Sequence, residues 1–499
     1  MVSALSMVHN LVLILYSVTL VGLACFALHR VKMLWQYLRA SRRKPPELIP
    51  MTAGHPCVCV QCPLFNEALV VETLLEKVTA LRWPAGLLDI QILDDSNDET
   101  PAIIERWLQA HPERARNVRH IRRAKREGYK AGALAYGMTQ TKAEFLVVFD
   151  ADFQPAPDFL ETLLPHFANP RVGVVQARWE FANRRASLLT RFQGIFLDAH
   201  FIVEQASRFG SGLFFNFNGT AGVWRRAALE DAGGWSADTV TEDLDASYRA
   251  QRRGWKFVYL EHYSVPSELP ENLTAFKSQQ HRWTKGGIQV ARKQLREILR
   301  SDLPGRIKRE SVAHLGIGFV HPLLVTFSIL FVPYLYLASA HQAGVWQFIN
   351  PLSVLLTAGA TVTFYITGQY FLRKQWGEGL LMLVSSPLLL AFGLAMSVTC
   401  SVAVIEGLLT KGGEFVRTPK GGGAATGGGL VACLRSRTMF TAITMVEIVI
   451  GLVMLGGAVY FQRNAMLAIA LVLLVKAVGF LGVAALSTAD LFPRSAARA

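Results

Sequence analysis

The sequence predicts an α/β domain built on parallel strands and joined to an α-helical transmembrane region. Residues 57–152 alternate short β-rich runs with helical patterns, the mark of βαβ units. Two successive runs end in carboxylates, Asp94-Asp95 and Asp150-Ala151-Asp152. Beyond residue 313 the chain changes to apolar runs long enough to cross a bilayer.

With 499 residues, 51% of them hydrophobic, the chain has room for more than one domain. Its formal net charge is +14. The Lys and Arg residues cluster beside apolar runs, so the basic balance faces anionic lipid. No nucleic-acid-recognition motif accompanies it, and nucleic acid is not expected as a partner. Cys57, Cys59 and Cys62 form a C-x-C-x-x-C, but the first two alternate on a Val-rich strand and no second Cys/His pair follows at finger spacing. They read as structural thiols.

Taken in order, residues 8–28 are apolar and are followed by Arg30, Lys32, Arg39, Arg42, Arg43 and Lys44. A signal peptide carries its charge before the apolar core. The reverse order here predicts a retained membrane helix within 1–30, with its C-terminal end in the cytoplasm. Pro45-Pro46 and residues 50–56 read as a linker. Within a soluble domain at 31–305, strands are expected at 57–61, 88–93, 118–121 and 145–149. Helices are expected up to about residue 80, over 102–108 and from Lys130. Ligands of open α/β sheets bind beyond the carboxyl ends of the strands, where two successive strands deliver the acidic residues.

Transmembrane helices are expected in 306–375 and 439–499, with spans at 314–337, 351–371, 439–461 and 465–486. Residues 380–409 are apolar but interrupted by Ser385-Ser386-Pro387, and lie between two basic loops. If both loops are cytoplasmic, this stretch is no simple crossing. The region 376–438 therefore reads as an interfacial or re-entrant segment plus a loop.

In VVFDADF, Asp150 and Asp152 are alternate residues beyond an apolar strand, so both can approach one Mg²⁺ or Mn²⁺ shared with a diphosphate. A lone D-x-D is otherwise a surface turn. Asp94 and Asp95 fall at the same edge, and Asp95 also suits a helix cap. Lys130 opens a helix, where a cation beside free N–H groups favours phosphate. Asp243, in T-E-D, stands just before a helix, either as a base for an acceptor hydroxyl or as an ordinary N-terminal signature. Gln279, Arg282 and Trp283 form Q-x-x-R-W: a planar cation for phosphate beside a flat apolar face for a sugar.

In their order, P-L-F-N-E, D-D-S, K-A-G-A-L, D-A-D, T-E-D and Q-x-x-R-W resemble the processive family 2 glycosyltransferases: the cellulose, chitin and hyaluronan synthases. ILDDSNDET, GYKAGALAYG, VFDADFQP, VQARWEFAN, FNGTAGVWR and SELP…QQHRW look closer to the cellulose-synthase-like A and C proteins. The resemblance implies a GT-A fold (nucleotide-sugar-binding, Rossmann-like), a divalent metal, inversion to a β-linkage and a multi-pass protein of the plasma or bacterial inner membrane. Its substrates would be UDP-glucose or GDP-mannose and a growing polysaccharide, with secretion partners beside it. By residue match, Asp150 and Asp152 would hold the metal-diphosphate, and Glu67, Asp94, Asp95, Lys130, Gln279 and Arg282 the donor. Asp243 would be the base, and Asn218, Gly219, Thr220 and Trp283 would face the acceptor. Asn218-Gly219-Thr220 departs from the Cys-Gly-Ser of cellulose synthases. Phe415, Arg417, Thr418 and Lys420 resemble the gating loop of that family, with Arg417 replacing its Val. No cyclic-dinucleotide-binding barrel is legible after the last span, so that mode of activation is not expected.

Two other readings stay open. One is a transferase that adds a single sugar to a lipid carrier; Q-x-x-R-W, the gating-like loop and helices on both sides of the domain argue against it. The other is a membrane transporter or scaffold with a dead transferase domain, which would predict loss of a motif carboxylate.

Overall fold

A computed structural model describes residues 2–41, 54–340, 346–373, 376–413 and 430–491. In chain order its elements begin with α1 (Val2–Ala40), β1 (Val58–Leu64), α2 (Val71–Thr79), β2 (Leu88–Asp94), α3 (Thr100–Ala110), β3 (Val118–Arg122), α4 (Tyr129–Thr139) and β4 (Phe145–Val148). Then come α5 (Phe159–Leu163), β5 (Val172–Phe181), α6 (Leu188–Ala199), a π-helical turn (His200–Gln205), α7 (Ala206–Gly210), β6 (Gly222–Arg225), α8 (Arg226–Asp231), α9 (Glu242–Arg252) and β7 (Lys256–Ser267). The C-terminal part is helical: α10 (Leu273–Arg300), α11 (Gly305–Leu315), α12 (Val320–Ala340), α13 (Trp346–Arg373), α14 (Trp376–Leu409), α15 (Leu430–Arg463) and α16 (Leu467–Leu491).

The strands form one seven-stranded sheet in the order β3-β2-β1-β4-β6-β5-β7. The first four are parallel, as the alternating pattern requires. The sheet as a whole is mixed, because β6 runs antiparallel to both β4 and β5. The central strand β4, Phe-Leu-Val-Val, is buried throughout and can lie only between two covered faces. Cys59 and Cys62 are buried on β1 as free thiols, in agreement with the strand reading. The sheet's carboxyl edge then places Phe65 to Glu67 after β1, Asp95 after β2 and Asp150 after β4 at one side.

Five described helices are long and apolar enough to cross a membrane: Met7–Ala40, Ile317–Leu337, Met382–Leu409, Thr438–Arg463 and Leu467–Asp490. The chain is a multi-pass membrane protein. Three segments differ from the sequence reading. Residues 380–409 belong to one continuous helix, α14, with Pro387 inside it, so the chain does not turn back there as a re-entrant segment would. A helix tolerates an internal Pro when neighbouring helices support it, and α14 packs on α10, α12, α13 and α16. The expected span at 351–371 is the helix α13, which is not among the five. The span expected from His314 starts later, because Gly316 ends α11 and a 3₁₀ turn precedes α12.

α1 is longer than a bilayer needs, at about 1.5 Å per residue. Its C-terminal end reaches the soluble domain, where the Tyr37 hydroxyl donates to Glu261 Oε1 at 2.8 Å. The two parts also meet along α10. There Gly407 of α14 allows close approach: a Cβ on it would lie 2.8 Å from the Lys285 carbonyl oxygen and 2.9 Å from Ile288 Cβ. Gly407→Val should therefore push α14 off α10, at a cost of about 1–3 kcal/mol. A thermal melt of the detergent-solubilised variant indistinguishable from wild type would show that the contact is loose.

Candidate active site

The sheet's carboxyl edge, the start of α9 and one face of α10 enclose a cavity. It is lined by Phe65, Glu67, Asp95, Arg126, Lys130, Asp150, Asp152, Trp179, Asn218, Gly219, Glu242, Asp243, Glu268, Gln279, Arg282 and Trp283, among others. Most of the sequence-predicted residues are thus brought together from seven separate stretches of chain. Asp94 and Thr220 are not among the lining. Asp94 is turned into the β2–β3 seam, where it accepts from His120 Nε2 at 3.0 Å and from the Ser96 backbone N–H at 2.8 Å. These bonds hold its carboxyl below the usual range although burial works the other way. Thr220 Oγ1 accepts from the Asp150 N–H at 2.9 Å, so it places the Asp150 backbone. Phe415, Arg417, Thr418 and Lys420 lie outside the described residues.

At the centre stand three carboxylates, Asp150, Glu242 and Asp243, against two cations, Lys130 and Arg282. Lys130 Nζ donates to Asp150 Oδ1 at 2.5 Å and to the Gly219 carbonyl at 3.0 Å, and lies 3.9 Å from Glu242 Oε1. Burial disfavours its charge, yet Asp150 and Glu242 outweigh that and raise its pKa. The Arg282 guanidinium is shifted down by burial, opposed by Glu242, Asp150 and Asp243. Asp243 is driven the other way: burial first and the Glu242 charge second raise it to about 7, against the pull of Lys130 and Arg282. A carboxylate poised there takes up a proton readily near neutral pH.

Gly219 sits against Asp243. Its φ is +81°, and a Cβ on it would lie 2.8 Å from Asp243 Oδ2. The loop is held by Gln176, whose Oε1 accepts from the Asn218 N–H at 3.0 Å and whose amide donates to the Thr220 and Ala221 carbonyls. Asp95 is paired with Arg123 through two hydrogen bonds, one of 3.0 Å and one of 2.5 Å, so it fixes the loop before α4.

Asp152 is buried and accepts from the Glu268 N–H at 3.1 Å. With Asp150 it forms a pair of hard oxygen donors in the cavity wall. No cluster of three or more His, Cys, Asp or Glu suited to a metal occurs among the described residues. The donor set therefore fits a cation that completes its shell from substrate and water, as Mg²⁺ commonly does.

A second chamber opens on the far side of Asp243. The two share Trp179, Leu197, Asn218, Thr241, Asp243 and Trp283. Aromatic walls of Trp179, Phe196, Phe201, Phe276 and Trp283 line it, with His200, Gln280 and His314. Trp179 Nε1, Gln193 Oε1, Asn216 Oδ1, Asn218 Nδ2, Thr241 Oγ1 and His321 Nδ1 are buried there without a hydrogen-bond partner among the described residues. Buried polar atoms ordinarily have partners. Donors and acceptors interleaved with aromatic faces suit a polyhydroxylated guest.

Sequence reasoning missed Glu242, Glu268, Trp179 and Arg126 as cavity residues. Trp179 and Glu268 stand in VQARWEF and SELP, which already carried the resemblance, while Arg126 carried no signal. Its guanidinium lies 3.4 Å from the Phe65 ring centroid.

Three outcomes are expected around Asp243. If Asp243 must be ionised to act, log kcat/KM should rise with pH up to about 7 and then level off. Asp243→Asn should abolish transfer and leave donor binding largely intact; near-normal turnover would remove it as the base. Gly219→Ala should cut turnover by roughly a hundredfold, the scale of a misplacement of about 1 Å. Turnover within a factor of two of wild type would mean that the loop yields.

The profile of glycosyl transferase family group 2 matches residues 145–399. The chain is 46% identical over 255 residues to glucomannan 4-beta-mannosyltransferase 2 of Arabidopsis thaliana, covering 50% of this chain and 48% of that one. It is 40% identical over 339 residues to a probable glucomannan 4-beta-mannosyltransferase 3 of Oryza sativa subsp. japonica, covering 64% and 62%. The chain thus spans between about half and under two thirds of these relatives. Among solved structures, a mannosyltransferase from Pyrobaculum calidifontis in complex with GDP-Man and Mn²⁺ superposes with a TM-score of 0.53 at 21% identity, over 77% of this chain and 99% of that one. The shared fold is GT-A. With the family profile matching half of its length across β4, Asp243 and Q-x-x-R-W, the chain belongs to glycosyl transferase family group 2.

Proposed function

We propose that this protein is an inverting hexosyltransferase that elongates a β-1,4-linked mannan or glucomannan from GDP-mannose and passes it toward the membrane helices. The observation that carries this reading is the meeting of two chambers at one half-buried carboxylate. One chamber presents the cations and carboxylates suited to a nucleoside diphosphate. The other presents aromatic faces and unpartnered polar atoms suited to a sugar chain. Asp243 stands in both. The choice of mannose rests on the names of the plant relatives.

Asp243 takes the proton of the acceptor hydroxyl while that oxygen forms a bond to the anomeric carbon. The bond from this carbon to the diphosphate breaks on the opposite face, and GDP leaves with the electron pair. Inversion of an α-linked donor yields the β-linkage. Lys130, Gln279 and Arg282 receive the negative charge of the diphosphate. Asp150 and Asp152 would hold Mg²⁺ or Mn²⁺, which supplies further charge neutralisation to the leaving group. Phe65 with Arg126 offers the nucleobase a flat surface, and Trp283 offers one to the acceptor sugar.

Arg30, Lys32 and Arg39 lie in α1 beyond its apolar run, on the side of the catalytic domain, which supports a cytoplasmic placement of that domain. A plasma or bacterial inner membrane suits delivery of polymer to the outside.

The test uses inverted membrane vesicles with Mg²⁺ or Mn²⁺, labelled GDP-mannose and UDP-glucose offered separately, and Asp243→Asn as the blank. Label from GDP-mannose in an insoluble, β-mannanase-sensitive polymer is expected. Label only in solvent-extractable lipid would replace this reading with single-sugar transfer. Trp283→Ala should lower elongation about tenfold more than donor hydrolysis, the scale of one stacking contact. Equal loss of both would argue against a stacked acceptor.

A further inference from the structure

We propose that the ion pair between Lys277 of α10 and Glu447 of α15 is the positioning device that fixes the rotation and depth of α10, and thereby the aim of Gln279, Arg282 and Trp283. Lys277 Nζ donates to both carboxylate oxygens of Glu447 at 2.8 Å. The two side chains are 1% and 0% exposed. Neither residue lines either chamber, so neither touches substrate.

Helical geometry gives the pair its leverage. Gln279 lies two positions beyond Lys277, a rotation of about 200° around the axis, so the pair grips the face of α10 turned away from the cavity. The cavity face is fitted closely as well, since a Cβ on Gly286 would collide with the Thr241 side chain, two residues before the base. Further clasps hold α10 along its length. The Thr274 N–H donates to Asp490 Oδ2 of α16 at 2.9 Å, and Lys285 Nζ donates to Glu406 Oε2 of α14 at 3.1 Å. Of these polar clasps, only Lys277–Glu447 is almost completely shielded, and a bidentate charged bond there admits one register.

An apolar pair of similar volume would hold the two helices together as strongly, because a buried ion pair gives back much of its attraction as desolvation. What it would not supply is direction. That difference separates positioning from simple cohesion.

The experiment compares the full-length protein with Lys277→Met/Glu447→Leu and with the reversed pair Lys277→Glu/Glu447→Lys. Thermal stability in detergent, donor kcat and KM, and hydrogen exchange over residues 278–287 are measured on each. The apolar double variant should keep its melting temperature, lose about tenfold in kcat with a raised donor KM, and exchange faster over 278–287. The reversed pair should restore all three. Unchanged turnover and exchange in the apolar variant would overturn the proposal, and so would failure of that variant to fold, which would make the pair a requirement of the fold itself. A reversed pair as impaired as the apolar one would show that charge pairing does not place the helix. The kinetic arm rests on the transferase reading, while the exchange arm does not. If wild type transfers neither sugar, the function falls and the exchange result still decides the inference.

Discussion

Helix α10 must satisfy two environments at once, and the rest of the molecule is arranged around that constraint. One face carries Gln279, Arg282 and Trp283 into a charged cavity. The opposite face lies against α14 and α16 of the membrane bundle and, through Lys277, grips α15. A helix with two occupied faces cannot rotate without breaking contacts on both. Small residues make the double fit feasible, with Gly286 beneath Thr241 and Gly407 beneath the Lys285 carbonyl. Catalytic domain and bundle are thereby coupled through the element that carries the Q-x-x-R-W motif.

The cavity shows a related economy in its charges. Glu242 and Asp243 repel one another beside Asp150, and Lys130 with Arg282 only partly relieves them. That imbalance leaves Asp243 proton-hungry near neutral pH. Donor binding would bring more negative charge to the same cations, which is where a divalent ion on Asp150 and Asp152 becomes useful. Asp243 stays separate from this pair because α9 presents it from the other wall, between the chambers.

Burial also explains which acidic residues leave the cavity. Asp94 and Asp95 are adjacent, and alternation on a strand sends them to opposite sides. Asp94 finds His120 and Ser96 in the seam, while Asp95 faces the cavity and is clamped by Arg123. Their work differs although their residue type does not.

The sequence by itself determined the parallel half of the sheet, the edge that carries Asp95 and Asp150, the multi-pass character of the chain and the identity of most cavity residues. These depend on local periodicity and on motifs whose spacing is written along the chain. Only the tertiary structure decided that β6 reverses the sheet, that Asp94 turns inward and that 380–409 forms one helix despite Pro387. It also decided the raised pKa of Asp243, because that value comes from burial and from charges at positions 130, 242 and 282. The Lys277–Glu447 pair lay equally beyond reach: its partners are 170 residues apart, and no local pattern encodes which membrane helix a buried lysine will meet.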